Sequence, residues 1–163
     1  MNLGQLPKKN IFSMQVYRIT LEKWSGALAA SGSAARWNSN GKFVIYTSWA
    51  RSMACLENIV HKKGRGLIGS FKTMLIEIPE PIAVESIQPD ALPKNWQDFS
   101  AYQLCQQLGD TWLNSMKSAV LSVPSAIIPA EHNLLLNPQH PDFQQIKLLG
   151  SEDFVFDPRI TAT

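Results

Sequence analysis

Cysteine is scarce in this chain. Cys55 and Cys105 stand far apart and neither belongs to a Cys-x-x-Cys spacing, which excludes a disulfide-stapled scaffold and a cysteine-based zinc site and points to a reducing compartment. His61, His132 and His140 are too separated to form a local ligand set, so no metal is expected. Charge is thin as well: 17% of residues are charged and the net charge is +2. So small an excess does not make a nucleic-acid surface, and the basic run His61-Lys62-Lys63-Gly64-Arg65 reads as cations complementing a helix C-terminus. No apolar run approaches the ~18 residues that read as a bilayer span. Residues 1–12 hold Pro7, Lys8 and Lys9 rather than the unbroken apolar stretch of a signal peptide. The expected location is the cytoplasm, with no membrane contact.

Familiar ligand loops are missing too. No Gly-x-Gly-x-x-Gly follows a strand and no Walker-type loop occurs, so a nucleotide would have to bind outside the Rossmann and P-loop schemes. Ser125 lies in Val-Pro-Ser-Ala-Ile, not in the Gly-x-Ser-x-Gly elbow that exposes a hydrolase nucleophile.

What is present is a chain of 163 residues, 45% of them hydrophobic. At that length one domain over 1–163 buries about 70% of its unfolded surface and folds by core packing alone. Many apolar and few charged residues also leave room for a face covered by a partner. The expected elements are a strand within residues 11–20, a short helix over 24–30, a loop over 31–41 and a central strand over 43–46. A helix capped by Thr47 or Ser48 then runs to about residue 63. Strands follow over 72–78 and 82–86, a helix over 99–108 interrupted at Gly109-Asp110-Thr111, and strands over 119–123, 144–149 and 154–157. Strands and helices mix without regular alternation, which gives an α+β domain with mainly antiparallel strands and flanking helices.

Two features carry chemistry. Arg36-Trp37-Asn38 sits between Gly32 and Gly41, where glycines let backbone approach a ligand while a planar cation grips phosphate and an aromatic ring offers a platform. In the helix after it, Trp49, Ala50, Met53, Ala54, Leu56, Ile59 and Val60 share one broad arc, and Glu57 falls inside that arc. A carboxylate among core positions costs several kcal/mol, on the order of a buried ion, unless it is paired, hydrogen-bonded or protonated. Either Arg18 or Arg36 pairs with it, or it faces a cavity and does chemistry; Arg36 and Tyr46 arriving in the same unit favour the second. Ser125, after Pro124, reads equally as a turn serine and as a hydroxyl at a cleft wall. The tract from Glu131 to Pro141 reads as structural around its Asn-Pro turn.

Taken together and in order, Val16-Tyr17-Arg18-Ile19, Ala35-Arg36-Trp37-Asn38 with Gly41, Val44-Ile45-Tyr46-Thr47-Ser48, Ala54-Cys55-Leu56-Glu57, Leu108-Gly109-Asp110-Thr111-Trp112, Val123-Pro124-Ser125-Ala126 and Asn133-Leu134-Leu135-Leu136-Asn137-Pro138 with His140 resemble the RES-domain family. That family is named for an Arg, a Glu and a Ser, and its members are toxins of type II toxin–antitoxin pairs. The resemblance implies a fold like that of ADP-ribosyltransferases, NAD+ as substrate, and cleavage of the nicotinamide N-glycosidic bond. By motif, Arg36, Glu57 and Ser125 match the catalytic residues, and Arg18, Arg36, Tyr46, Ser125 and Asn133 the substrate-binding ones. It implies a partner as well, an Xre-like helix-turn-helix antitoxin that covers the cleft and forms an oligomer with the toxin. Inorganic phosphate, water or a protein side chain remain open as acceptor, with phosphorolysis and hydrolysis ranked above transfer to protein. Two alternatives stay beside this reading: a non-catalytic nucleotide- or partner-binding module, and a nucleic-acid binder using Lys62, Lys63 and Arg65, which the small net charge disfavours.

Overall fold

The computed structural model describes residues 13–62 and 67–161. Residues 1–12, the start of the first expected strand at residue 11, and Lys63, Gly64 and Arg65 of the basic run lie outside the described residues. Seven strands are described: β1 (Ser13–Leu21), β2 (Ile45–Ser48), β3 (Phe71–Pro79), β4 (Val84–Ser86), β5 (Val120–Pro124), β6 (His132–Leu136) and β7 (Lys147–Phe154). They form one sheet in the order β4-β5-β6-β2-β1-β3-β7. Every neighbouring pair is antiparallel except β4 and β5. Two helices, α1 (Arg51–His61) and α2 (Tyr102–Ser115), and a short α3 (Pro158–Thr161) complete it. This is the mixed, mainly antiparallel α+β domain expected, and among the described residues no helix is long and apolar enough to cross a membrane.

The sheet is not uniformly knit. β1 pairs with β3 along its whole length, from Ser13 opposite Pro79 to Leu21 opposite Phe71, yet it meets β2 only at Tyr17 opposite Ser48. Strands that part this way leave a gap in the middle of a sheet, and a cavity opens there, between Tyr17-Arg18-Ile19 of β1 and Tyr46-Thr47-Ser48 of β2.

Several expectations shift, each for a physical reason. Residues 24–30 form no α-helix; a single 3-10 turn spans Glu22–Trp24 and Gly26 follows it. The central strand is Ile45–Ser48 instead of 43–46, because the Thr47 hydroxyl donates to the Leu134 carbonyl (2.8 Å) and the Ser48 hydroxyl to Asn133 Oδ1 (2.7 Å) across the sheet. Neither caps α1, whose N-cap is Ala50 without a side-chain bond. His132–Leu136 is a central strand, with Leu134, Leu135 and Leu136 fully buried, where only a turn was expected. The two strands expected over 144–149 and 154–157 are one strand, β7: Leu75 pairs with Gly150 and Ile76 with Leu148, so a bulge at Leu149 absorbs the glycine.

Gly109 does not interrupt its helix; α2 runs through it. A Cβ there would lie 1.8 Å from the Trp37 carbonyl oxygen, so the glycine is the point where α2 touches the backbone of the 31–41 loop. Beside it Asp110 receives the Ser39 backbone N–H (3.1 Å) and the Ser39 hydroxyl. These contacts dock the loop on the helix. Gly109→Ala, which in a solvent-facing helix would gain about 1 kcal/mol, is expected here to cost about 3 kcal/mol, because backbone rather than a flexible side chain must move. The urea midpoint of the purified variant checks this.

Candidate active site

The cavity holds about 690 Å³ and is walled by β1, β2, the 31–41 loop, α1 and the turn after β5. Ala54, Glu57, Asn58, Val60, His61 and Lys62 of α1 front it. That explains the arc read from the sequence: only Met53 and Ala54 of the helix are buried, and Trp49 is 48% exposed. The apolar side of α1 lies partly over an open cleft, and Glu57 sits at its wall with 20% of its side chain exposed.

Three donors from three elements hold the Glu57 carboxylate. Asn133 Nδ2 on β6 donates to Oε1 at 2.6 Å, and the Ser125 hydroxyl at the end of β5 donates to the same oxygen at 3.1 Å. His61 Nε2, one turn further along α1, lies 3.3 Å from Oε2. Asn133 and Ser125 are themselves oriented. Ser48 of β2 donates to Asn133 Oδ1, which turns the amide nitrogen toward the acid. The Ser125 oxygen accepts the backbone N–H groups of Ile127 (3.1 Å) and Ile128 (3.3 Å), which aims its proton away from its own turn. Burial pushes the carboxyl upward, but the bonds from His61, Asn133 and Ser125 outweigh it and the net position is below the ordinary 4.5. The acid is an anion at neutral pH.

Neither arginine pairs with it. Arg18 Nη1 donates to the Ala29 carbonyl at 3.0 Å, and burial lowers its pKa. Arg36 donates through Nη1 to the Trp96 carbonyl and through Nη2 to the Gln97 carbonyl, both at 2.9 Å, with its guanidinium 5.2 Å from the Tyr102 ring centroid. Among the described residues neither guanidinium makes an ion pair. Both face the cavity, as does Lys62, so among the described residues it carries cations without acidic partners beside the Glu57 anion, which Asn133, Ser125 and His61 hold. Among the described residues, no group of His, Cys, Asp and Glu is placed to hold a metal ion.

The structure thus brings Arg18, Arg36, Tyr46, Glu57 and Asn133 to one cavity, while Ser125 is fully buried beside Glu57. Tyr46 borders the cavity, but its hydroxyl donates to Asn38 Oδ1 (2.7 Å) and accepts the Trp37 N–H (3.1 Å), and burial raises its pKa. Asn38 Nδ2 in turn reaches the carbonyls of Ser33, Ser39 and Lys42. Trp37, expected as an aromatic platform, is 3% exposed and packs on Trp96 with ring centroids 6.0 Å apart. Trp37 and Asn38 build the loop that presents Arg36. His61 was missed as a site residue; its signal was the helical i, i+4 spacing from Glu57.

Residues 15–157 match the RES domain. The chain belongs to the RES domain family. It is 37% identical over 138 residues to a Prs ADP-ribosylating toxin of Sphingobium sp. (strain YBL2), covering 83% of this chain and 85% of that one. It is 36% identical to a protein named Toxin Res from Yersinia enterocolitica, covering 90% and 99%. In fold this RES domain matches a chain of the M. tuberculosis MbcT-MbcA toxin–antitoxin complex with a TM-score of 0.73, at 19% identity over 94% of this chain and 91% of that one.

The depressed pKa of Glu57 makes its ionised form a source of stability. The group binds its proton less readily folded than unfolded, so its contribution is complete above the ordinary value of 4.5 and fades as the pH falls through the lower folded value. Asn133→Ala removes the shortest bond to the carboxylate. The variant is expected to lose less stability than the wild type between pH 6 and pH 3, as urea midpoints at the two pH values will show.

Proposed function

We infer that this RES domain is the toxin of a toxin–antitoxin pair and that it binds NAD+ as a substrate, cleaving its nicotinamide N-glycosidic bond. The carrying observation is the ionised Glu57, held by three donors in the same cavity as two guanidinium groups that lack acidic partners. A dinucleotide has the complementary pattern, an anionic pyrophosphate at one place and a sugar carbon that becomes cationic at another. The names of the relatives, toxins in both cases and ADP-ribosylating in one, support the same chemistry.

In this reading Arg18 and Arg36 hold the pyrophosphate by charge-assisted bonds. The C1′–N bond breaks with its electron pair moving onto the nicotinamide nitrogen. That ring is already cationic and leaves neutral, so no general acid is required. Positive charge gathers on the ribose, where the Glu57 carboxylate stabilises it and orients a hydroxyl, as carboxylates do in glycoside hydrolysis. Tyr46 borders the nicotinamide side, Asn133 bonds the carboxylate, and Ser125 acts through Glu57. Oxygen of phosphate, or of a water that gives up a proton to solvent, then bonds to the same ribose carbon, giving ADP-ribose 1″-phosphate or ADP-ribose. A second reading, transfer to a protein side chain, is favoured by the name of the Sphingobium relative. The partner is an antitoxin of Xre-like, helix-turn-helix type seated over the cleft in an oligomeric complex, with the exposed Val60 and Ile128 offering it apolar contact near the cavity.

Purified protein incubated with NAD+, with and without phosphate, is expected to release nicotinamide, and mass analysis of the other product identifies the acceptor. Glu57→Gln keeps the shape of the side chain and removes its charge. It should lower release by about a hundredfold or more and relieve growth arrest on expression, with an unchanged circular dichroism spectrum. Wild-type turnover by this variant would defeat the mechanism. Arg36→Lys should recover little of what Arg36→Ala loses, because an ammonium cannot span the Trp96 and Gln97 carbonyls while facing the cavity.

A further inference from the structure

His61 is the one partner of Glu57 that can change charge. It shares α1 with the acid, its Nε2 is 3.3 Å from Oε2, and its side chain is 66% exposed at the cavity. The other two donors, Asn133 and Ser125, are neutral at every pH and both address Oε1. The two carboxylate oxygens are therefore held differently, one by fixed dipoles and one by a group that is a dipole or a cation according to pH. Imidazole changes state between about pH 5 and 8.

Resting on the glycosidic-cleavage reading above, we propose that His61 is a positioning residue that sets how much negative charge Glu57 presents to the ribose. Neutral, its ring N–H holds Oε2 and leaves the carboxylate its full charge. Protonated, it forms an ion pair with the carboxylate and repels the cation developing on the sugar, so bond cleavage slows. The proton stays on the imidazole throughout; the electron pair of the breaking bond still departs with nicotinamide.

Other charged groups face the same space: Lys62 on α1, Tyr17 and Arg18 on β1, Arg36 on the loop and Tyr46 on β2. Their titration, and that of a phosphate acceptor, is common to all variants of His61. The ratio of variant to wild-type rate at each pH cancels it.

The test follows nicotinamide release from saturating NAD+ between pH 5.5 and 8 for wild type, His61→Gln and His61→Arg, with circular dichroism at each pH. His61→Gln keeps an N–H donor without a titrating charge, and His61→Arg keeps a permanent cation. The ratio of wild-type kcat to that of either variant should rise about fivefold or more over the interval. His61→Gln should outpace wild type at pH 5.5, and His61→Arg should fall behind it at pH 8. An active wild type whose ratio to His61→Gln is constant with pH overturns the inference and leaves bond cleavage intact. Silence of the wild type at every pH overturns the cleavage reading and this inference together.

Discussion

The structure turns on keeping one carboxylate ionised while it is largely withdrawn from water. A desolvated acid ordinarily takes up a proton or binds a cation. Here it is held by side-chain donors: an amide on β6, a hydroxyl closing β5, and an imidazole on the acid's own helix. The order β5-β6-β2 in the sheet brings these groups together. It places Ser125 beside β6, Asn133 on it, and Ser48 where it turns the Asn133 amide toward the acid. Moving any one strand by a residue would turn its side chain to the other face of the sheet and dismantle the socket.

The opposite wall depends on a different constraint. A loop carrying Arg36 has no regular hydrogen-bond ladder to hold it, so its rigidity comes from side chains. Asn38 is the hub: buried, it spends its amide on three loop carbonyls and its oxygen on the Tyr46 hydroxyl. Gly109 and Asp110 then fix this unit to α2. Positive φ at Gly32 and Gly41 closes the loop at its ends, where the Gly41 N–H donates to the Gly32 carbonyl at 2.8 Å.

Much of this was legible in the sequence, though in part for the wrong reasons. An acid within an apolar helical arc does line the cavity, but the arc lies partly over that cleft and only partly on the core. Arg36-Trp37-Asn38 was read as a ligand cluster; Arg36 and Trp37 line the cavity, but Trp37 is almost wholly buried and, like Asn38, serves the loop. The missed strand β6 was hidden by the polar and turn-forming residues around it, although Leu134-Leu135-Leu136 is the short apolar run of a strand buried on both faces. Gly109 looked like an interruption, and the strand expected over 144–149 stopped short of Gly150. Their actual reasons, a backbone contact and a bulge, depend on residues distant in sequence, and no local pattern carries them.

The manner in which the arginines are held bears on what the cavity can do. A guanidinium beside a carboxylate gains about 4 kcal/mol of Coulomb energy at 4 Å and an effective dielectric near 20. Direct pairing of Arg18 or Arg36 with Glu57 would thus be the obvious way to settle both charges. The fold prevents it by giving each arginine backbone carbonyls instead. Carbonyls fix orientation without cancelling charge, just as the amide and hydroxyl at Glu57 fix an anion without cancelling it. A cavity organised for stability alone would have collapsed its charges onto one another. This one keeps them apart, and that separation is what the proposed binding of NAD+, with its anionic pyrophosphate and a sugar that becomes cationic, rests on.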